Sequence, residues 1–233
     1  MISLELITSR TCPFGLGCMA VLSTKNVSYQ LTIVEPSVDN KSTKSQLAPL
    51  GTVPILKDDG LTIFDSIAIN EYLDDVYSPK MHPGDLRRLA INRSWIQQSG
   101  RCIKGILALG LSNTRVEYEA QVSSLTQLVK PIENALLGSY FNGGELAIVD
   151  ASFMPFLSRH AALTAFLGFD PLNFSDRLLE WRNSVNRSYS TCSELHLKHG
   201  ELFLNYLLDK NPHINNLRDE GILAADLFRF GIL

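Results

Sequence analysis

Apolar residues change their spacing along the chain, and the change divides it in two. Leu4 to Thr8 reads as a short strand, and the stretch after Pro13, through Met19, Ala20, Val21 and Leu22 to Lys25, reads as a helix. Tyr29 to Val34 alternates apolar and polar residues, as a half-buried strand does. Lys41 to Leu47 predicts a short, irregular helix. Pro54–Leu56 and Thr62–Phe64 flank Asp58-Asp59-Gly60, and Asp-Gly between two apolar runs signals a hairpin. Ser66 to Val76 predicts a further helix, with Ala68, Tyr72 and Val76 on one stripe and Ile69 and Leu73 beside it.

The resulting order, β-α-β-α-β-β-α, closes on a hairpin and therefore requires a mixed sheet, the order of a thioredoxin-like domain. Ser78-Pro79-Lys80-Met81-His82-Pro83-Gly84 is rich in structure breakers and reads as a linker. Beyond it only helical stripes remain, over roughly Asp85–Leu111, Glu117–Leu137, Val149–Leu167, Asp176–Asn186 and Ser193–Leu208. Residues 1–77 are thus expected to form an α/β domain with a mixed sheet, 78–84 a linker and 85–210 an all-α helical domain. The remaining segment, 211–233, carries Ile222, Leu223, Leu227, Phe228, Phe230, Ile232 and Leu233, and is too apolar for a free tail. It is expected to dock on the helical domain or on a partner subunit. Pro131 predicts a kink in its helix.

Composition narrows the setting. The chain has 233 residues, 45% hydrophobic and 19% charged, which suits two domains with real cores and excludes disorder except at the ends. The net charge is −3 with no long basic run, which points away from nucleic acid and from anionic membrane surfaces. The first ten residues lack the basic start and apolar run of a signal peptide, and no stretch reaches the ~18 apolar residues of a membrane helix. Cys12, Cys18, Cys102 and Cys192 form neither a disulfide framework nor a zinc pattern. Reduced thiols, a cytoplasmic location and no bound metal are the expectation.

Three short motifs carry chemistry. In Arg10-Thr11-Cys12-Pro13-Phe14-Gly15, the cysteine stands between the first strand and the first helix. Unsatisfied N–H groups and the dipole at a helix start favour the thiolate, the nucleophilic form, and proline suits the first helical position. The plainer alternative is a small packed cysteine. Cys18 lies six residues along the same helix, about 9 Å away by rise and on another face, beyond disulfide reach. Any mixed disulfide at Cys12 would then need an external thiol to resolve it. Gly51-Thr52-Val53-Pro54-Ile55-Leu56 suggests a cis Val53-Pro54 bond, which would present the Val53 backbone to a peptide-like ligand as an added strand does; the plainer alternative is a trans proline on an edge strand. Phe64-Asp65-Ser66-Ile67 opens a helix, where Asp65 and Ser66 either cap it or bind a carboxylate, or both.

These motifs, in this order and spacing, resemble the N-terminal domain of glutathione S-transferases, with Cys-Pro-Phe closest to the omega class and related cysteine-type bacterial members. A second match, from Ser139-Tyr140-Phe141-Asn142-Gly143-Gly144 through Val149-Asp150-Ala151-Ser152 to Leu157, is similar to the segment that opens a central helix of that family around a structural aspartate. The resemblance implies that Cys12 attacks, or forms a mixed disulfide with, the sulfur of glutathione. It implies that the Val53 backbone before cis-Pro54 pairs with the cysteinyl part, and that Asp65 and Ser66 hold the γ-glutamyl end. Lys41, with Lys44 as the alternative, would reach the glycine carboxylate, and Phe14 would border the second-substrate pocket. It further implies a homodimer with glutathione as co-substrate and a small molecule or mixed disulfide as second substrate. The sequence departs from the pattern at Leu16, Gly17 and Cys18, where omega-like members carry charges. Gly15 and Gly17 each cost the helix up to ~1 kcal/mol against alanine and predict a less rigid start. Ala147 stands where a Ser or Thr cap is usual, a loss of about 1 kcal/mol.

The remaining candidates read as structural. His196 and His199 share a helix face but are too few for a metal and are expected to be a solvated pair. Trp95 and Trp181 are expected in the core. Arg87-Arg88 forms either a solvated face or a cleft rim. Gly100, Gly105 and Gly110 permit either close helix contact or a bend. For function, thiol transfer or reduction, including deglutathionylation and dehydroascorbate-type reduction, leads. Conjugation of glutathione to electrophiles, with Thr11 or Ser9 assisting, is one alternative. A non-catalytic interaction module, like the stringent-starvation proteins that bind RNA polymerase or the intracellular chloride channel proteins, is the other.

Overall fold

A computed structural model describes residues 4–34, 51–189, 194–211, 214–216 and 219. Strands β1 (Leu4–Thr8), β2 (Gln30–Ile33), β3 (Ile55–Asp58) and β4 (Leu61–Phe64) form one sheet in the order β2-β1-β3-β4. β1 runs parallel to β2, with Glu5 opposite Gln30, and antiparallel to β3, with Leu6 opposite Leu56, so the sheet is mixed. β3 and β4 join through Asp59 and Gly60, both at positive φ (43° and 86°), as a two-residue hairpin turn of this hand requires. Leu4 and Leu6 face the main core, while Ile7 and Ile55 form a small cluster with Val34 and Val53 on the other side. The expected helix at Lys41–Leu47 lies outside the described residues.

Two helices cover the sheet: α1 (Pro13–Thr24) and α2 (Ser66–Val76). α1 is buried continuously from Gly15 to Leu22. The two glycines that predict a loose helix start are close-contact positions instead. A Cβ on Gly15 would lie 1.9 Å from Thr8 Oγ1, and one on Gly17 would lie 3.2 Å from the Ala151 carbonyl oxygen. That carbonyl has no i+4 N–H to accept from, because residue 155 is proline.

The inward face of α2 differs from the expected stripe: Ala68 and Val76 are exposed, while Ile69, Asn70, Leu73 and Asp74 are buried. The reason is an ion pair. Lys25 Nζ donates to Asp74 Oδ1 (2.8 Å) and to the carbonyls of Tyr77 (2.9 Å) and Pro79 (2.7 Å). Asp74 in turn accepts the N–H groups of Met81 (2.7 Å) and His82 (3.3 Å). Drawing Asp74 inward rotates the helix so that a polar pair, not Val76, meets the core. The same pair fixes the path of the chain toward the second domain.

That domain is helical: α3 (Leu86–Gly110), α4 (Arg115–Ala135), α5 (Ile148–Leu167), α6 (Asp176–Tyr189) and α7 (Glu194–Lys210). α5 lies at its centre and packs against α1, α3, α6 and α7. Gly105 and Gly110 serve close helix contact, since a Cβ there would meet Leu125 at 2.8 Å and Leu207 at 2.5 Å. α4 runs through Pro131 to Ala135. Beyond α7, Asn211 Nδ2 donates to the carbonyls of Gly110 (3.1 Å) and Ser112 (2.8 Å), and Ile214 is buried; the apolar residues from Ile222 onward lie outside the described residues. Among the described residues no helix is long and apolar enough to cross a membrane.

Asp150 holds the entry to α5. Ala147 supplies no cap, as expected, but the Ala147 N–H reaches back to Asp150 Oδ2 (2.8 Å). Asp150 Oδ1 accepts the Phe141 N–H (2.9 Å) and the indole N–H of Trp181 (2.7 Å), which is fully buried. Burial pushes the Asp150 carboxyl up to about 6, against the pull of these three donors.

Two outcomes follow from this packing. Gly15→Ala should lower unfolding free energy by about 2 kcal/mol or more, despite alanine's better helix propensity, because overpacking outweighs it. Adding Thr8→Ala should recover part of the loss, read from urea midpoints. For Asp150, a native pKa above the unfolded value means its stabilising effect is complete below about pH 4 and is lost as pH rises through about 6. Unfolding free energy of the native chain minus that of Asp150→Asn should therefore fall across that window, by up to about 3 kcal/mol.

Candidate active site

Cys12 is the N-cap of α1. Its backbone is extended (φ −70°, ψ 111°), and Sγ accepts the Gly15 N–H at 3.4 Å. The thiol donates to the Val53 carbonyl at 3.7 Å, and the Cys12 N–H donates to Ser9 O at 3.1 Å. The sulfur thus sits where the helix N-terminus offers an unsatisfied donor, half-exposed rather than packed away. Cys18, by contrast, is fully buried; burial pushes its thiol up, and it donates to Ser66 O (3.8 Å). Cys102 is buried too, pushed up to about 12.

The Val53-Pro54 bond is cis. Val53 sits between the thiol, through its carbonyl, and the Ile7–Ile55 cluster, through its side chain. Its N–H makes no backbone hydrogen bond among the described residues. Asp65 caps α2 at positive φ (74°), a strained backbone for a residue with a Cβ. Its Oδ1 accepts the N–H groups of Ile67 (2.9 Å) and Ala68 (3.4 Å), leaving Oδ2 without a partner among the described residues.

A cavity of about 470 Å³ gathers these groups. Phe14, Val53, Pro54, Asp65 and Ser66 line it from the first domain, and Cys12 reaches its edge through Val53. Gln97, Arg101 and Lys104 of α3 line it from the second. Lys41 lies outside the described residues. Gly100 lines the cavity too, and a Cβ there would only just touch the Phe14 ring, at 3.9 Å. Arg87 and Arg88 line no part of it: Arg87 is exposed, and Arg88 Nε donates to Asn142 Oδ1 (3.2 Å).

Sequence reasoning missed four contributors. Asn70, buried with its Oδ1 lacking a partner among the described residues, lines the same cavity one turn after Ser66. Arg101 and Lys104 stand one turn apart on α3. Arg159, a lone cation in the apolar run of α5, reaches the cysteine loop by donating to Thr11 O at 3.4 Å. Its isolation within that run is the signal that could have found it. The expected solvated pair at His196 and His199 is corrected on the same evidence. His199 is buried beneath Arg159, whose Nε donates to its Nε2 (3.3 Å), because α7 packs on α5. The His196 side chain lies outside the described residues. No cluster of His, Cys, Asp or Glu among the described residues is arranged to hold a metal.

A family model described as "Glutathione S-transferase, N-terminal domain" matches residues 11–76. A stringent starvation protein A homolog from Pasteurella multocida is 30% identical over 60% of this chain and 66% of that protein. Glutathione S-transferase omega-1 from Sus scrofa is 28% identical over 69% of this chain and 68% of that one. The crystal structure of glutathione transferase Omega 3C from Trametes versicolor superposes with a TM-score of 0.72 over 85% of this chain and 89% of that one, at 19% identity. Residues 11–76 therefore form a glutathione S-transferase N-terminal domain, set within a two-domain fold that is shared with solved glutathione transferases.

Proposed function

We propose that the chain is a glutathione-dependent thiol transferase, with Cys12 as the nucleophile. The observation that carries this reading is the placement of the Cys12 sulfur: half-exposed at a helix N-terminus, receiving the Gly15 N–H and 3.7 Å from the Val53 carbonyl beside a cis proline. Glutathione would lie along the 470 Å³ cavity. Its cysteinyl part would pair with the Val53 N–H, which makes no backbone hydrogen bond among the described residues. Its γ-glutamyl ammonium would meet Asp65 Oδ2, with Ser66 at the carboxylate and Lys41 at the glycine end. Phe14 would separate it from the second substrate. A homodimer belongs to the same reading: Leu61 and Phe64, on edge strand β4, and Leu86 and Ile91, on α3, remain exposed for a partner.

The chemistry is two exchanges. The Cys12 thiolate attacks the glutathionyl sulfur of a mixed disulfide R–S–S–G, forming Cys12–S–S–G and releasing RS⁻, which takes up a proton. A second glutathione thiolate then attacks the glutathionyl sulfur, forming GSSG and restoring the Cys12 thiolate. Cys18 is buried and points to Ser66, so the external thiol is the resolving group.

The likeness to a stringent starvation protein A homolog favours a second reading, a family member that works through protein contacts without turnover. The two separate on glutathione itself. In calorimetry, the native reduced chain and Cys12→Ala should both bind glutathione. Only the native chain should turn over a small mixed disulfide, the variant losing at least about a hundredfold. Absence of binding at millimolar glutathione would select the second reading. A Cys12→Ser variant that conjugates glutathione to an electrophile faster than the native chain would instead favour a transferase in which Cys12 is not the nucleophile.

A further inference from the structure

Adjoining the proposed glutathione cavity, and sharing Pro13, Phe14, Ile103 and Lys104 with it, lies a second hollow of about 300 Å³. Thr11 and Pro13, the neighbours of Cys12, form one wall, and Phe14, Ile103, Leu107 and Phe203 make much of the rest apolar. Its charged lining residues are Lys104 and Arg159; no carboxylate lines it among the described residues.

Arg159 is the unusual member. It is only 5% exposed, yet its hydrogen-bond and ring partners among the described residues are uncharged groups: Thr11 O, His199 Nε2 and the Phe203 ring, which lies 4.7 Å from the guanidinium carbon. The charges that favour its cation are those of Cys12 and, beyond it, Tyr206. Burial lowers it to about 10, which leaves it charged at neutral pH. A guanidinium carries five N–H donors, and among the described residues two of them find protein acceptors. Lys25, the other buried cation among the described residues, has its carboxylate in Asp74. A buried charge needs to be answered. Cys12 acts on this one from a distance without a hydrogen bond, and no carboxylate among the described residues meets the guanidinium, so its unspent N–H groups at the wall of an apolar hollow offer a place to a ligand's anionic group.

We infer that the second hollow selects acceptors bearing a carboxylate on an apolar or aromatic body, the acid group resting on Arg159 with Lys104 at the rim. This deepens the thiol-transfer reading and rests on it. In the exchange written above, R would be the carboxylate-bearing group. It occupies the hollow while Cys12 attacks the glutathionyl sulfur, and it leaves as RS⁻, protonated on release. The apolar walls hold the body, and the unused guanidinium N–H groups hold the acid in a charge-assisted pair.

Two glutathione mixed disulfides matched in shape test this, one made from 4-mercaptobenzoate and one from 4-mercaptobenzamide. The native chain should prefer the carboxylate by about tenfold or more in kcat/KM. Arg159→Met should erase the preference while still turning over the amide, and Arg159→Lys should keep part of it. Lys104→Gln, at an exposed position, should reduce it without disturbing the fold. Equal kcat/KM on the two substrates in the native chain would overturn the inference and leave the thiol-transfer reading standing. So would an Arg159→Met variant that loses both substrates equally while Lys104→Gln changes nothing. If the native chain turns over neither, the thiol-transfer reading fails. Calorimetry with 4-(methylthio)benzoate against its amide then decides the anion site alone: selective binding of the acid, lost in Arg159→Met, supports it, and equal binding sinks it.

Discussion

Helix α1 is buried without a break from Gly15 to Leu22, and the rest of the architecture follows from how closely its neighbours approach it. One side meets the central strand at Thr8 and the other meets the carbonyl of Ala151 on α5; both contacts exist because residues 15 and 17 lack a Cβ. Interiors are packed too densely for a methyl group to be absorbed at such distances. The helix is thus wedged between the two domains rather than laid against one. Cys12, at its first turn, inherits the position: β3 begins just beyond the Val53 carbonyl on one side, and α5 reaches the preceding residue through Arg159 on the other.

The buried polar groups divide by how they are answered. Asp150 meets three N–H donors, and Lys25 meets a carboxylate and two carbonyls. These are closed networks, and they hold the frame: one fixes the start of the central helix, the other the passage between domains. Arg159 and Asn70 are open, each with hydrogen-bonding capacity turned toward a cavity. Closed groups mark where the fold is rigid, and open ones mark where something else is expected to complete it.

Much of this was legible in the residues. Local signals marked the strands though not all of their ends, the Asp59-Gly60 turn, the Pro13 helix start, the breaker-rich segment before α3 and the cis bond at Val53-Pro54, because each depends on a few adjacent residues. The clustering of Phe14, Val53, Pro54, Asp65 and Ser66 at one cavity follows from that chain order. What escaped depends on which surfaces meet. Gly15 and Gly17 read as weak points of a helix until Thr8 and Ala151 are placed against them. His199 reads as a surface residue until α7 is laid over α5, and the inward turn of Asp74 is invisible without Lys25, at the end of another helix.

The Lys25–Asp74 pair has a consequence for how this sequence can drift. A buried ion pair can often be exchanged for two apolar residues with little loss, provided both change together. Here that route is closed, because the ammonium also holds the Tyr77 and Pro79 carbonyls and the carboxylate also holds two backbone N–H groups. Replacing both side chains would still strand four main-chain groups. Positions 25 and 74, 49 residues apart, are therefore coupled not only to each other but to the route of the backbone between the domains. Descendants of this chain can vary them only by rebuilding that passage.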